Sequence, residues 1–176
     1  MDDILEFFIR EPEREFHVRN LAKLTKKSPT TISKYLFKFK KDGLLSLKKR
    51  FNHLLFKANI DNPTFRCIKL SYNLRKLRES SLIDYLVDKF NNPEAIILFG
   101  SFRKAEDIPK SDIDILIITP LKKEINLTKY EKLLDHKIQL FLYSNEEINK
   151  IKTKNKELLN NLVNGIVLEG FWELFR

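Results

Sequence analysis

Two short apolar runs joined by a polar connection constrain the fold of this chain more than any other feature. The runs, Ile96–Phe99 and Ile113–Ile118, are rich in β-branched residues, which favour strands. The connection begins Gly100-Ser101, and two carboxylates two residues apart, Asp112 and Asp114, interrupt the second run. Because positions i and i+2 of a strand share a face, both carboxylates should point the same way.

This pair of carboxylates predicts a metal site. Two like charges side by side destabilise a strand unless a cation lies between them. Mg²⁺ binds carboxylate oxygens together with substrate phosphates, so Asp112 and Asp114 are candidate metal ligands and catalytic residues. Gly100 allows the backbone to approach a ligand closely, and Ser101 offers a hydroxyl and an N–H group to a phosphate. The alternative is a Gly-Ser turn followed by an edge strand that carries solvated aspartates.

The order of these residues resembles the signature of the DNA polymerase beta-like nucleotidyltransferases, and most closely that of the minimal members of that superfamily. The matching letters are GSFRKA from Gly100 and SDID from Ser111, although Arg103 replaces a small residue and Ala105 replaces a second glycine. The resemblance implies Mg²⁺-dependent transfer of a nucleoside monophosphate from a nucleoside triphosphate to a hydroxyl group. It assigns the metal to Asp112 and Asp114, and it assigns nucleotide binding to Gly100, Ser101, Arg103, Lys104 and Ser111.

A third strand, predicted over Ile138–Tyr143, departs from this pattern. In the superfamily this strand usually bears a third carboxylate, and the aligned residue is Gln139. A neutral amide can coordinate through its oxygen but does not hold a cation as a carboxylate does, so Gln139 is expected to be a weak metal ligand. Nucleotide binding with slow or absent transfer is therefore expected. Asp135 and His136, just upstream, are alternative bases if the strand register differs.

The positive charge of the chain lies before this catalytic-looking region. The formal net charge is +9, and residues 1–60 hold 14 Lys or Arg against 7 Asp or Glu. Residues 92–176 hold 13 of each and are neutral. A basic first segment favours a polyanionic partner, most simply nucleic acid.

The first segment has the order of predicted elements that is typical of a winged helix-turn-helix. Apolar spacing predicts helices before Pro12, around Leu21 and from Ser28 to Gly43, followed by strands Leu44–Leu47 and Leu54–Ala58. Phe16–Ala58 resembles the winged-helix modules of archaeal and bacterial transcription regulators, which implies binding to double-stranded DNA through a recognition helix and a hairpin. The alternatives are a solvated basic face and a winged helix that contacts protein. The expected DNA contacts are Thr30, Thr31, Ser33, Lys34, Lys38, Lys48, Lys49 and Arg50.

The fold class is predicted as α+β, with three regions. Residues 1–60 are expected to form the winged helix-turn-helix, residues 61–91 a helical connector, and residues 92–176 a nucleotidyltransferase-like mixed sheet with flanking helices. Two helices are predicted to begin with a capping box, one at Ser81 with Asp84 and one at Ser144 with Glu147. A hydrophobic tail, Phe171–Phe175, is expected to pack on the sheet.

Several classes of protein are disfavoured. No apolar run is long enough to span a bilayer, and the acidic start of the chain is unlike a signal peptide. Cys67 is the one cysteine, which fits a reducing cytoplasm, and it is expected to pack in an apolar helix face. Two functions remain: a nucleotidyltransferase, and a DNA-binding regulator whose nucleotidyltransferase-like domain is catalytically weak or inactive. The resemblance also admits a toxin–antitoxin protein partner, and a homodimer stays open.

Overall fold

The computed structural model describes residues 3–173, which form two compact units. The first unit ends at Lys69 and the second begins at Leu70. This boundary falls inside one helix, α4 (Pro63–Glu79). No helix within the described part of the chain is long and apolar enough to cross a membrane.

The first unit consists of three helices, a hairpin and the first turns of α4. The helices are α1 (Asp3–Arg10), α2 (Val18–Thr25) and α3 (Pro29–Lys41), and the hairpin pairs β1 (Leu45–Arg50) with β2 (His53–Ala58). Phe16 forms an isolated antiparallel bridge with Phe56, which connects the segment before α2 to the hairpin. Phe8 packs edge-on against Phe16 with ring centroids 5.0 Å apart, which ties α1 to this bridge.

The residues predicted to begin and end helix α3 do so in the structure. Ser28 Oγ accepts a hydrogen bond from the Thr31 backbone N–H, and Pro29 occupies the first helical position. Gly43 follows the helix with a φ of +75°, a conformation that glycine adopts without strain. Ile32, Leu36 and Phe39 are the buried residues of this helix.

The hairpin differs from its prediction. Strands were expected to stop at Leu47 and resume at Leu54, whereas Lys48, Lys49 and Arg50 continue β1 and pair with Leu55, Leu54 and His53. The loop has only two residues, Phe51 and Asn52, and both have positive φ. Two residues with positive φ form a turn whose twist matches the twist of the paired strands, which lets the basic residues stay in the ladder.

The second unit is built on a mixed four-stranded sheet. Its strands are β3 (Ala95–Phe99), β4 (Ile113–Ile118), β5 (Ile138–Tyr143) and β6 (Ile166–Gly170), in the order β5-β4-β3-β6. β3 is antiparallel to both β4 and β6, and β4 is parallel to β5. The helices of this unit, besides the end of α4, are α5 (Leu82–Lys89), α6 (Gly100–Lys104), α7 (Thr128–Leu134), α8 (Asn145–Lys154) and α9 (Lys156–Val163).

Alternation along β3 and β4 gives this sheet two buried faces. Ile96, Leu98 and Ile115 lie in one apolar cluster with residues of α5 and α6. Ile97 and Leu116 lie in a second cluster with residues of α8 and α9. The predicted mixed sheet with flanking helices is thus confirmed for this unit.

Several smaller expectations have mixed outcomes. The capping box at Ser144 and Glu147 is confirmed, whereas the one at Ser81 is wrong because Ser81 has a φ of +57° and makes no side-chain cap bond. Ser80 Oγ instead accepts from the Leu82 N–H.

Cys67 is exposed, contrary to expectation. In the tail, Trp172 packs partly buried on the second cluster, Phe171 is exposed, and Phe175 lies outside the described residues.

Candidate active site and nucleic-acid interface

Gly100 and Asp114 form the centre of the candidate active site. Phe99 at the end of β3 pairs with Asp114 on β4, so the chain leaves β3 directly beside this carboxylate. Gly100 has a φ of +70°, and a Cβ atom placed on it would overlap Asp114 Oδ2. Glycine is therefore required for two reasons, its left-handed conformation and the carboxylate packed against it. The sequence predicted close approach to a ligand, and the structure places a carboxylate of the chain itself there.

Asp112 and Asp114 lie at the start of β4 and differ in exposure. Asp112 precedes the first residue of the strand and is exposed, while Asp114 is partly buried. Burial raises the pKa of Asp114 above its usual value of 3.8, and the negative charge of Asp112 raises this pKa further. The two carboxylates therefore interact electrostatically, as a shared metal site requires.

The raised pKa has a consequence for folding. Since the pKa of Asp114 is higher in the folded than in the unfolded chain, its contribution to stability is present below pH 3.8. That contribution is lost as the pH rises through the raised pKa. A cation beside Asp114 would favour the ionised carboxylate and oppose this rise in its pKa.

Gln139 lies beside Asp114 in the sheet. The two residues are Cα partners in the parallel pair of β4 and β5, and directly paired residues project to the same face of a sheet. The Gln139 side chain is exposed. This register leaves the third strand position with an amide and not a carboxylate.

The remaining predicted nucleotide contacts differ in their exposure and in their hydrogen bonds. Ser101 and Arg103 are partly buried, and Lys104 is exposed at the end of α6. Arg103 Nε is buried and has no hydrogen-bond partner within residues 3–173. Ser111 is committed to its own loop, since its hydroxyl accepts from the Ile108 N–H at 2.9 Å.

His136 lies near the site and makes contacts that the sequence did not predict. Its Nδ1 lies 2.8 Å from the carbonyl oxygen of Ser111, which only accepts hydrogen bonds, so Nδ1 carries the proton. Its ring packs edge-on against Phe102 of α6, with centroids 4.7 Å apart. His136 thereby links the start of β5 to α6 and to the residue before Asp112.

A second unpredicted feature is a buried polar pair beneath α6. Asn73 on α4 is 4% exposed and Asp107 is 5% exposed. Asn73 Nδ2 donates to Asp107 Oδ1 at 2.8 Å and lies 3.3 Å from the carbonyl oxygen of Phe102. Because Phe102 belongs to α6, this pair holds the helix that carries Ser101. The two residues lie 34 positions apart, and no local pattern relates them.

Replacing Asn73 by alanine should destabilise the second unit by about 1.5–3 kcal/mol, the usual contribution of a hydrogen bond to a charged group. Urea unfolding followed by circular dichroism measures this loss. Asn161→Ala, on the exposed side of α9, is the matched control and should change stability little. Equal effects of the two substitutions would show that the pair does not hold α6.

The predicted DNA contacts all lie in the first unit. On α3, Thr30, Lys34 and Lys38 are exposed, while Thr31 and Ser33 are partly buried. Thr31 is engaged locally, since its Oγ1 lies 2.8 Å from Ser28 Oγ. Lys48, Lys49 and Arg50 are exposed along the end of β1.

One comparison with known proteins is decisive. A family model described as "Polymerase beta, Nucleotidyltransferase" matches residues 80–169, which is slightly more than half of the chain. The chain belongs to this family. No curated protein and no solved structure matches it. The matched residues include Gly100, Asp112, Asp114 and Gln139, so the site described above lies within the polymerase beta-type nucleotidyltransferase domain.

The donor set of this nucleotidyltransferase domain fits Mg²⁺. The described residues contain no cluster of three or more His, Cys, Asp or Glu residues that could hold a metal ion. Mg²⁺ needs fewer protein ligands, because it retains water and is commonly bound by one or two carboxylates together with substrate phosphates. Asp112 and Asp114 would be these two carboxylates, and Gln139 would add a neutral oxygen.

Proposed function

We propose that the second unit binds a nucleoside triphosphate together with Mg²⁺ and transfers its nucleoside monophosphate to a hydroxyl acceptor. The observation that carries this proposal is the packing of the Asp114 carboxylate on Gly100. This contact lies inside the segment that matches the nucleotidyltransferase family. Because Gly100 directly precedes Ser101, this contact supports a site in which Asp114 and Ser101 bind the same metal–phosphate group.

The proposed reaction is a substitution at the α-phosphorus, in which the site neutralises the negative charge of the phosphate oxygens. The acceptor oxygen forms a bond to the α-phosphorus and its proton passes to water, while the bond from that phosphorus to the pyrophosphate oxygen breaks and pyrophosphate leaves. Mg²⁺ would supply charge neutralisation on the phosphate oxygens. Asp112 and Asp114 would hold it, while Ser101 and the basic side chain of Arg103 or Lys104 orient the triphosphate. We assign Ser111 the lesser task of shaping the loop before Asp112.

Release of pyrophosphate tests transfer without knowledge of the acceptor. The protein is incubated with Mg²⁺, a pool of cellular RNA and protein, and nucleoside triphosphates labelled at either the α- or the γ-phosphate. Nucleotidyl transfer puts the α-label on an acceptor and the γ-label in pyrophosphate. Label transfer from the γ-position to an acceptor would instead indicate a phosphotransferase and contradict the proposal.

A second candidate function is supported by Gln139. Its position beside Asp114 gives the site two carboxylates where three are usual, which favours nucleotide binding without turnover. The chain would then be a DNA-binding regulator or one component of a toxin–antitoxin pair. Mg²⁺-dependent nucleotide binding without pyrophosphate release distinguishes this function from the first.

The first unit is proposed to bind double-stranded DNA as a winged helix-turn-helix. The order of α1, the Phe16 bridge, α2, α3 and the β1–β2 hairpin supports this reading, as do the exposed Lys48, Lys49 and Arg50. In this arrangement α3 enters the major groove and the hairpin follows phosphates. The boundaries 1–60, 61–91 and 92–176, a cytoplasmic location and a homodimer remain predictions.

Replacing Lys48, Lys49 and Arg50 together by alanine should weaken binding to every duplex sequence. Each lost phosphate contact flattens the plot of log affinity against log salt by roughly 0.9, so three contacts should flatten it by about 3. Fluorescence anisotropy over a salt series measures both quantities. Changes at Thr31 or Ser33 should instead alter preference among sequences.

The matched control removes the same charge from the second unit. Lys150, Lys154 and Lys156 are exposed on α8 and at the start of α9, and their triple alanine variant lowers the net charge equally. This variant should keep the parent's salt dependence. If the two triple variants lose affinity equally, the hairpin is not the DNA contact.

A further inference from the structure

Phe51 is an unusual residue for the tip of the hairpin. It is 84% exposed, the highest exposure among the large hydrophobic residues described. Its φ is +44°, in the left-handed region that glycine and asparagine occupy readily and bulky residues avoid. The chain thus keeps a ring in water and in a strained backbone conformation, and such an outlier points to a function of the side chain.

The surroundings of Phe51 are basic and polar. Arg50 holds its guanidinium carbon 5.4 Å from the centre of the ring. A surface groove of about 290 Å³ beside the ring is lined by His17, Arg50, Phe51, His53 and Leu55, with no carboxylate among these residues. The two histidine rings have their centroids 6.1 Å apart. The ring therefore projects next to cationic and hydrogen-bonding groups, which suit a polyanion better than an apolar protein pocket.

The short turn also restrains the backbone that carries the ring. Arg50 pairs with His53, so only Phe51 and Asn52 lie outside the ladder. A two-residue turn with both φ values positive leaves little freedom to the backbone that carries the ring, so less backbone ordering is needed when it binds. An exposed aromatic ring at the tip of such a turn, beside Arg50, is suited to act as a wedge.

We propose that Phe51 inserts between neighbouring base pairs of duplex DNA, while Arg50 and the groove of His17 and His53 hold the adjacent phosphates. This inference rests on the proposed DNA binding of the first unit. Apolar side chains that enter a base step unstack it and kink the duplex by roughly 20–90°. Pyrimidine–purine steps unstack most readily, so the wedge would favour TA and CA steps without hydrogen bonds to bases.

The test uses the full chain and a duplex with one central TA step. The adenine of that step is replaced by a fluorescent analogue whose emission rises on unstacking, and dyes at the two ends report the kink. Phe51→Asn is the informative variant, because asparagine tolerates positive φ and should keep or improve the stability of the turn. We expect the parent to raise the emission and shorten the end-to-end distance. Phe51→Asn should lose both signals and bind about tenfold more weakly.

Two control variants distinguish insertion of Phe51 from DNA binding without insertion. Lys49→Ala should bind more weakly, yet at saturation it should still unstack and kink the duplex. Phe51→Trp keeps an aromatic ring and should retain both signals. The wedge is overturned if the parent saturates the duplex without unstacking, or if saturated Phe51→Asn unstacks as the parent does; DNA binding stands in either case.

The remaining outcomes concern the identity of the polyanion. If the parent binds no duplex at all, the wedge and the proposed DNA binding both fail. Vesicles with anionic lipid headgroups form the last arm of the experiment. Loss of vesicle binding in Phe51→Asn, with unchanged DNA signals, would assign the ring to a lipid surface and overturn the wedge.

Discussion

Substitution of Gln139 by aspartate should raise the rate of nucleotidyl transfer by roughly 10²–10⁴-fold, the usual contribution of a general base. Gln139 lies directly across from Asp114 on the neighbouring parallel strand, so the new carboxylate would join the existing pair. It would add a third negative charge for Mg²⁺ and a group that accepts the proton of the attacking hydroxyl. Pyrophosphate release under saturating Mg²⁺ measures the change.

Gln139→Asn is the matched control for this substitution. It shortens the side chain as aspartate does but keeps the neutral amide, so transfer should remain at the parent's rate. A fast parent enzyme that Gln139→Asp impairs would show that this chain builds its catalytic centre without a third carboxylate. In that event His136, which contacts the residue before Asp112, becomes the first candidate for the base.

Substitution of Gly100 by alanine should abolish binding of Mg²⁺ and nucleotide and lower the free energy of unfolding by about 1–3 kcal/mol. The new methyl group would occupy the position of Asp114 Oδ2 and require a positive φ of a residue that has a Cβ atom. The carboxylate must then move away from the metal position. Calorimetry of nucleotide binding and urea unfolding measure the two effects.

Gly170→Ala provides the comparison that separates these effects. Gly170 also has a positive φ, of +78°, and its added methyl group would overlap the backbone carbonyl of Glu94. Gly170 pairs with Ala95 at the start of β3, whereas Gly100 follows the end of that strand, so nucleotide binding should persist in Gly170→Ala. If Gly100→Ala binds Mg²⁺ and nucleotide as the parent does, the packing of Asp114 on Gly100 does not define the site.

Features encoded within a few residues could be predicted from the sequence. The strands β3, β4 and β5 correspond to short apolar runs, and the cap at Ser28 and the capping box at Ser144 each depend on a contact three residues away. The pairing of Gln139 with Asp114 was not predicted, because the apolar pattern of one strand does not state its register with another.

Features that depend on distant residues could not be predicted. The Asn73–Asp107 pair and the contact of His136 with Ser111 join segments that only the fold brings together. The short helix α6 follows from the chain turning at Gly100 between two antiparallel strands, and five residues give too little periodicity to detect. The hairpin turn was misplaced because three consecutive basic residues are typical of a loop, and Phe51 is a rare residue at positive φ.

Calorimetric titration of each nucleoside triphosphate into the protein, with and without Mg²⁺, tests the proposed site most directly. Asp112→Asn is the decisive variant because Asp112 is exposed, so its loss should leave the fold intact. Asp88→Asn, an exposed carboxylate on α5, is the charge-matched control. We predict Mg²⁺-dependent binding by the parent and by Asp88→Asn, and binding at least about tenfold weaker in Asp112→Asn, which keeps one of the two anionic ligands. Absence of Mg²⁺-dependent binding by the parent, or equal binding by Asp112→Asn, would contradict the assignment of the metal and nucleotide to these carboxylates.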